Sequence, residues 1–225
     1  TKIIAVYPRN VLLADQLREA LSEILKINES IKNENLRSIT IGAFLGDVPN
    51  DEKSKSIDKK KQWKQTPEGY VVPFIKSPRD SISSLIWKDE DRENGRTVLY
   101  RENQSTPDVP NGIISLTRDQ IKKTPPDILF LSAEMLNREL GNPEYAKLFG
   151  VGNQVVQSPR LLLLDEVHSY ERIQGAHLAW LLRRWLHWSK TKNIQIVGLS
   201  ATLKNPQMHL SRVTGFREDQ IKEIR

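Results

Sequence analysis

Apolar positions along the chain fall into two rhythms. Short uninterrupted runs read as strands buried on both faces: KIIAVY at 2–7, SITIGA at 38–43, DILFL at 127–131, LLLL at 161–164 and IQIVGL at 194–199. Leu13, Leu17, Leu21, Ile24 and Leu25 recur at spacings of three and four, which predicts a helix over 12–25. Asn28 and the stretch 33–35 read as the loop that follows it. Further helices are expected over 117–123, over 133–140 behind an N-cap at Ser132, over 173–188, and from Pro206, a residue suited to a first turn. Continuous apolar strands alternating with helices predict an α/β domain with a parallel sheet covered on both faces. No internal repeat interrupts that order.

Residues 50–110 break the rhythm and read as an insertion with a small β element. Within it, 51–64 holds six lysines and three acids, with Ile57 and Trp63 as its only large apolar residues, the pattern of a solvated or disordered loop. Residues 70–75 suggest an edge strand, since Pro73 interrupts the run. Residues 85–87 and 97–100 flank a polar stretch with Asn94-Gly95, a hairpin signal.

Composition narrows the class. The 225 residues suffice for one α/β domain with an insertion. No run approaches the ~18 apolar residues of a membrane span, and no secretory leader opens the chain. The chain lacks cysteine, which excludes disulfides and thiolate zinc sites and suits a reducing cytoplasm. A formal charge of +6 and a pI near 9.4 favour a polyanionic partner. The chain opens without Met, directly in an apolar run, and reads as an excised piece.

The candidate chemistry lies at two strand ends. Four leucines, 161–164, lead into Asp165-Glu166-Val167-His168. Open α/β sheets place ligands in the crevice at the carboxyl ends of their strands. Consecutive residues there diverge, so two carboxylates can take two roles. Asp165 is placed to hold Mg²⁺ as a Walker B aspartate does, and Glu166 to orient and deprotonate an attacking water. His168 can link the γ-phosphate side to the next loop. The strand 194–199 then ends in Ser200-Ala201-Thr202, whose hydroxyls can bond His168 and Glu166 and couple nucleotide state to nucleic-acid grip. His177, His187 and His209 show no metal-ligand spacing. Trp180, Trp185 and Trp188 share a helix with Leu178, Leu181, Leu182 and Leu186 and are expected in its core, although aromatic residues can also stack on bases. Arg183 and Arg184 read as solvated surface.

These segments resemble a family. DEVH at 165–168 resembles motif II, and SAT at 200–202 motif III, of superfamily-2 DExH-box helicases. YPRNVLLADQ at 7–16 is similar to motif Ia, and PPDILFLSAEML at 125–136 to motif Ib, with Leu131 where threonine is usual and a hydroxyl one place later at Ser132. DEVHSYERIQGAHLAWLLRR at 165–184 is similar to a stretch of the bacterial Mrf-type and DISARM-like defence helicases, with Arg172 in place of the first glycine of that pattern. The resemblance implies the first RecA-like domain of an ATP-dependent, cytoplasmic DNA helicase or translocase that uses ATP and Mg²⁺, with phage defence or repair as its setting. It implies contacts from Arg9, Asn10 and Ser132 to nucleic-acid phosphates, and an approach of the Gly46-Asp47 loop to the same strand. The partners implied are DNA, as a single strand or a duplex with a single-stranded end, ahead of RNA, and the remainder of the motor.

No G-x-x-x-x-G-K-[ST] phosphate loop occurs in the 225 residues, which are therefore expected to bind ATP poorly and hydrolyse none by themselves. A non-catalytic module that grips nucleic acid or a partner is the competing reading. The intact Asp165, Glu166, His168, Ser200 and Thr202 favour the enzyme.

Overall fold

The computed structural model describes residues 1–8, 10–80, 82–152, 158–189 and 193–224, without the side chains of Asn10 and Val11. In chain order, β1 (Ile3–Tyr7), α1 (Asn10–Ile31), β2 (Ile41–Phe44) and the short α2 (Ser54–Ile57) come first. They are followed by β3 (Lys64–Thr66), β4 (Gly69–Lys76), β5 (Ser84–Lys88), α3 (Asp89–Glu93) and β6 (Leu99–Arg101). Then come β7 (Ile114–Ser115), α4 (Arg118–Lys123), β8 (Ile128–Ser132), α5 (Ala133–Leu140), β9 (Leu161–Leu164), α6 (Arg172–Trp188), β10 (Gln195–Gly198) and α7 (Pro206–Thr214). The fold is the expected α/β architecture: a six-stranded parallel sheet in the order β10-β9-β1-β8-β2-β7 with helices, plus a small antiparallel sheet, β3-β4-β5-β6. Among the described residues, no helix is long and apolar enough to cross a membrane.

The contacts divide the chain into two compact units, Asn10–Phe130 and Thr1–Arg9 with Leu131–Arg225. In the first, α1 buries Leu13, Leu17, Leu21 and Ile24, as its periodicity predicts, and packs on β4. It runs further than the apolar stripe. Lys26 pairs with Glu23 at 2.7 Å, and the Asn28 side chain caps both the N–H and the carbonyl of Ile39. Asn28, a loop signal in the sequence, is thus a helical residue tying α1 to the following strand. Because Asn28 holds Ile39, and the Asp127 carboxylate takes the N–H of Thr40 at 3.0 Å, regular pairing in β2 starts only at Ile41. Arg37 closes this clasp with two hydrogen bonds to Asp127, at 2.7 and 2.6 Å.

The inserted stretch is ordered where the sequence suggests solvated loop. Its two large apolar residues are the reason: Ile57 is fully buried, and Trp63 packs edge-on to Phe74, with ring centroids 5.9 Å apart. The Trp63 indole N–H donates to the carbonyl of Asp47 at 2.8 Å. β4 is an inner strand rather than an edge, pairing with β3 and β5. Pro73 is tolerated because β3 reaches only Val71 and the β4–β5 register shifts between Val72 and Lys76. Asn94-Gly95 closes α3 instead of a two-residue hairpin, with Gly95 at φ +70°. β5 and β6 still pair antiparallel, from Leu85↔Arg101 to Trp87↔Leu99.

Candidate functional site

The chemistry sits in the unit formed by Thr1–Arg9 and Leu131–Arg225. There β9 lies between β1 and β10, parallel to both, with Leu164 level with Val6 and Gly198. Two of its leucines, Leu162 and Leu164, have no exposed surface. The ladder runs on past the strand. Asp165 N–H donates to the Val6 carbonyl at 3.0 Å, Leu199 N–H to that of Leu164 at 2.8 Å, and Val167 N–H to that of Leu199 at 2.9 Å. The acidic pair therefore starts from a backbone pinned on both sides.

Glu166 then takes a left-handed conformation, φ 47° and ψ 47°. A non-glycine residue there costs on the order of 1 kcal/mol and is held only where its surroundings demand it. This bend sends the chain into a 3₁₀ turn, Val167–Ser169.

His168 Nδ1 lies 3.0 Å from Ser200 Oγ and 3.0 Å from Glu166 Oε2. Of the two, Ser200 is the hydrogen-bond partner. Glu166 Oε2 is enclosed and without a hydrogen bond among the described residues. The Ser200 hydroxyl reaches the Thr202 carbonyl at 3.4 Å. The consistent proton order is therefore Nδ1–H to Ser200 Oγ, and Ser200 O–H to Thr202 O. Asp165, Glu166, His168 and Ser200 come together at adjacent strand ends. Thr202 joins through its backbone, and its side chain is exposed.

Sequence reasoning missed several supports. The His209 imidazole, from α7, donates Nε2–H to the Val167 carbonyl at 2.8 Å. A lone histidine in no motif gives no sequence signal for that bond. A Cβ on Gly198 would come within 3.1 Å of both Val167 and Leu210, so α7 seats tightly against this turn. Gly175, in the first turns of α6, approaches the turn so closely that a Cβ would stand 2.5 Å from the Tyr170 carbonyl oxygen. Tyr170 is itself buried. Its hydroxyl and that of Ser169 are enclosed without a hydrogen-bond partner among the described residues.

Electrostatics point the same way. Burial, and then the charge of Glu166, push the Asp165 carboxyl above its ordinary value, against the lowering effects of the Glu166 N–H and His168. Burial, and then the Asp165 charge, push the Tyr170 phenol up as well. An under-neutralised carboxylate beside an enclosed, unbonded carboxylate oxygen is a donor set for a hard cation. Mg²⁺ is typically held by one or two carboxylates together with phosphate oxygens, so these residues fit it in company with a nucleotide. No group of three His, Asp or Glu among the described residues forms a cage without one.

A stability prediction follows from Asp165. A carboxyl with a raised folded-state pKa contributes fully below its unfolded value, and that contribution is lost as pH rises through the folded one. Asp165→Asn is thus expected to raise the melting temperature at neutral pH without divalent cations. The gain should shrink as pH falls into the ordinary carboxylate range. Melting curves between pH 4 and 8 test this, and a pH-independent difference would refute it.

Arg172 occupies φ +50° at the head of α6, a conformation that favours glycine. Its side chain is exposed. Arg172→Gly is expected to stabilise the protein by about 1 kcal/mol, the strain relieved, as read by denaturant melts; a loss of stability would show that the arginine side chain holds this turn.

Elsewhere in the unit, Ser132 caps α5, accepting the Met135 N–H at 3.2 Å and keeping its own hydrogen free to donate. Trp185 is fully buried and donates to the Phe149 carbonyl at 2.7 Å, whereas Trp180 is 74% exposed and Trp188 47%. The buried face of α6 runs through Leu178, Leu181, Leu182 and Trp185, so the expectation of three core tryptophans is corrected to one. Arg183 and Arg184 are not simply solvated. They donate to the carbonyls of Arg212 and Asn137, and the Arg184 guanidinium lies over Trp188. Arg9 lies outside the described residues, as does the side chain of Asn10. In the other unit Gly46 is exposed. A Cβ there would meet open space, so nothing within that unit requires glycine.

Residues 109–209, spanning both strand ends of the site, match the family model for DEAD/DEAH box helicases. An ATP-dependent helicase of Methanocaldococcus jannaschii is 33% identical over 92 residues, 40% of this chain and 13% of that protein. The ATP-dependent helicase HRQ1 of Saccharomyces cerevisiae is 33% identical over 63 residues, 26% of this chain and 6% of that protein. Among solved structures, the Mycobacterium smegmatis helicase Lhr bound to ssDNA and AMP-PNP superposes with a TM-score of 0.52 at 21% identity, over 94% of this chain and 18% of that one. That likeness shows the fold. The chain thus spans a small fraction of the length of these relatives.

Proposed function

We propose that this chain is the hydrolytic part of the first motor domain of an ATP-dependent DNA helicase or translocase. The observation that carries the reading is the bond from His168 Nδ1 to Ser200 Oγ. It ties the acid-bearing end of β9 to the end of β10 while Glu166 Oε2 stays unbonded beside it.

In this reading Asp165 holds Mg²⁺, which when bound neutralises charge on the nucleotide phosphates. Glu166 accepts a hydrogen bond from the attacking water and takes its proton as the oxygen–phosphorus bond forms and ADP leaves. Ser200 and the Thr202 backbone hold the His168 ring, so a movement of the 200–202 loop alters the environment of Glu166. That loop is the element through which nucleic acid would gate hydrolysis. Ser132, with a donor hydrogen at the α5 N-terminus, and Arg9 and Asn10 after β1 are the proposed phosphate contacts. The stretch 165–184 further supports a place in the Mrf-type and defence-helicase subgroup, and motif Ia supports DNA ahead of RNA.

The test is a double-mutant cycle in the full-length protein, with His168→Ala, Ser200→Ala and the pair assayed for DNA-stimulated ATP turnover. Each single change is expected to reduce stimulation by about tenfold or more, and the pair by little more than either, as for partners in one interaction. Additive losses would show that the contact does not couple the two strand ends. Absence of turnover in the wild type would favour a non-catalytic binding module.

A further inference from the structure

In the unit Asn10–Phe130, the lysine-rich stretch folds into a shaped basic surface. Ile57 and Trp63 anchor it, and the two polar ties beside them both reach the Gly46-Asp47 loop: Lys60 Nζ to the Gly46 carbonyl and Trp63 Nε1 to the Asp47 carbonyl. The same stretch forms a depression of about 300 Å³ lined by Lys53, Lys55, Lys59 and Lys60, with Asn50, Ser56 and the single carboxylate Asp51 completing the lining.

Two acids of the stretch hold hydrogen bonds of their own, and one of them, Asp51, belongs to the lining. Asp58 accepts the Tyr70 hydroxyl at 2.7 Å, and Asp51 accepts the Lys53 backbone N–H at 3.0 Å. Lys53, Lys55 and Lys59 are exposed and form no ion pair among the described residues. Four ammonium groups against one carboxylate around one concavity leave a local positive potential that attracts an anion.

We propose that this depression is an accessory phosphate-backbone contact for nucleic acid, with Lys53, Lys55 and Lys59 extending the track that passes exposed Gly46. The chemistry selects the partner. Lysines supply point charges without the planar fork that reads a carboxylate or a base edge. The aromatic residue of the stretch, Trp63, is buried and unavailable for base stacking. What remains is contact with phosphates, independent of sequence. The inference rests on the proposed nucleic-acid motor and adds to it a site in the insertion.

The experiment measures binding of the full-length protein to a fluorescent single-stranded DNA across a KCl series. Two charge-matched variants are compared: Lys53→Gln/Lys59→Gln in the depression, and Lys61→Gln/Lys64→Gln on exposed positions of the same stretch outside it. Each lysine–phosphate contact adds roughly 0.7 to the slope of log affinity against log salt for single strands, so the first pair should lower the slope by about 1.4. The second pair should change it much less. Equal effects from both pairs would reduce the surface to diffuse charge and overturn the site. So would an unchanged slope in the first pair while wild type binds DNA, or binding of poly-glutamate that the first pair abolishes while DNA binding persists. Failure of the wild type to bind DNA would instead overturn the motor reading itself. Melting curves on all three proteins guard against misfolding.

Discussion

Glu166→Gln in the full-length protein is expected to lower DNA-stimulated ATP turnover by about 10²-fold or more, while nucleotide affinity changes by no more than a few fold. General-base catalysis contributes on the order of 10² to 10⁴ in rate, and an amide cannot accept the proton. Glutamine keeps the size and reach of the side chain and needs the same left-handed backbone, so the turn survives. The enclosed Oε2 has no hydrogen bond to lose, which removes the usual structural cost of such a change. Single-turnover phosphate release, set beside titration with a fluorescent nucleotide, separates chemistry from binding. Unimpaired turnover would remove Glu166 from the role of base. Equal losses in binding and turnover would make it a ligand-holding residue.

The second large effect is expected from Gly175→Ala, and here two principles predict opposite signs. Helix propensity alone favours alanine over glycine by about 1 kcal/mol. The contact opposes it, because the new methyl would stand 2.5 Å from the Tyr170 carbonyl oxygen, an atom of the backbone that cannot rotate away. Overpacking of this kind typically costs about 1–3 kcal/mol. We expect the contact to win, with a net loss of up to about 2 kcal/mol and a melting temperature lower by several degrees, at roughly 2–4 °C per kcal/mol for a chain of this size. Catalysis should fall with it. Separating α6 from Tyr170 shifts the turn that carries Glu166 and His168. A higher melting temperature would show that α6 can stand off from the turn, and that the glycine serves no packing role.

Much of this site was legible in the sequence because its parts are local. Four leucines followed by two acids define a buried strand and its polar end, and Ser200-Ala201-Thr202 closes a second apolar strand. Parallel pairing then brings the two ends side by side. What was not legible depends on tertiary approach. His209 reaches Val167 from a different helix. The tightness at Gly175 exists only because α6 folds back on the residue that precedes it. The exposure of Trp180 follows from the side of α6 that meets the rest of its unit, which the leucine spacing around it indicates more faithfully than its size. In the insertion, composition misled. A high lysine content suggested solvation, but two aromatic and aliphatic anchors spaced six apart, Ile57 and Trp63, suffice to fix the segment. The left-handed backbone at Glu166 and Arg172 was likewise invisible in residue type, since neither is glycine or asparagine.

The central claim is that this chain carries the water-activating half of a nucleic-acid-driven ATPase. The most direct measurement is steady-state ATP turnover of the full-length protein with Mg²⁺, in the presence and absence of single-stranded DNA. The account predicts turnover that rises on addition of DNA and disappears when Mg²⁺ is chelated. Bound ATP that is never hydrolysed, with DNA or without it, would contradict the account and leave a binding module built on a motor fold.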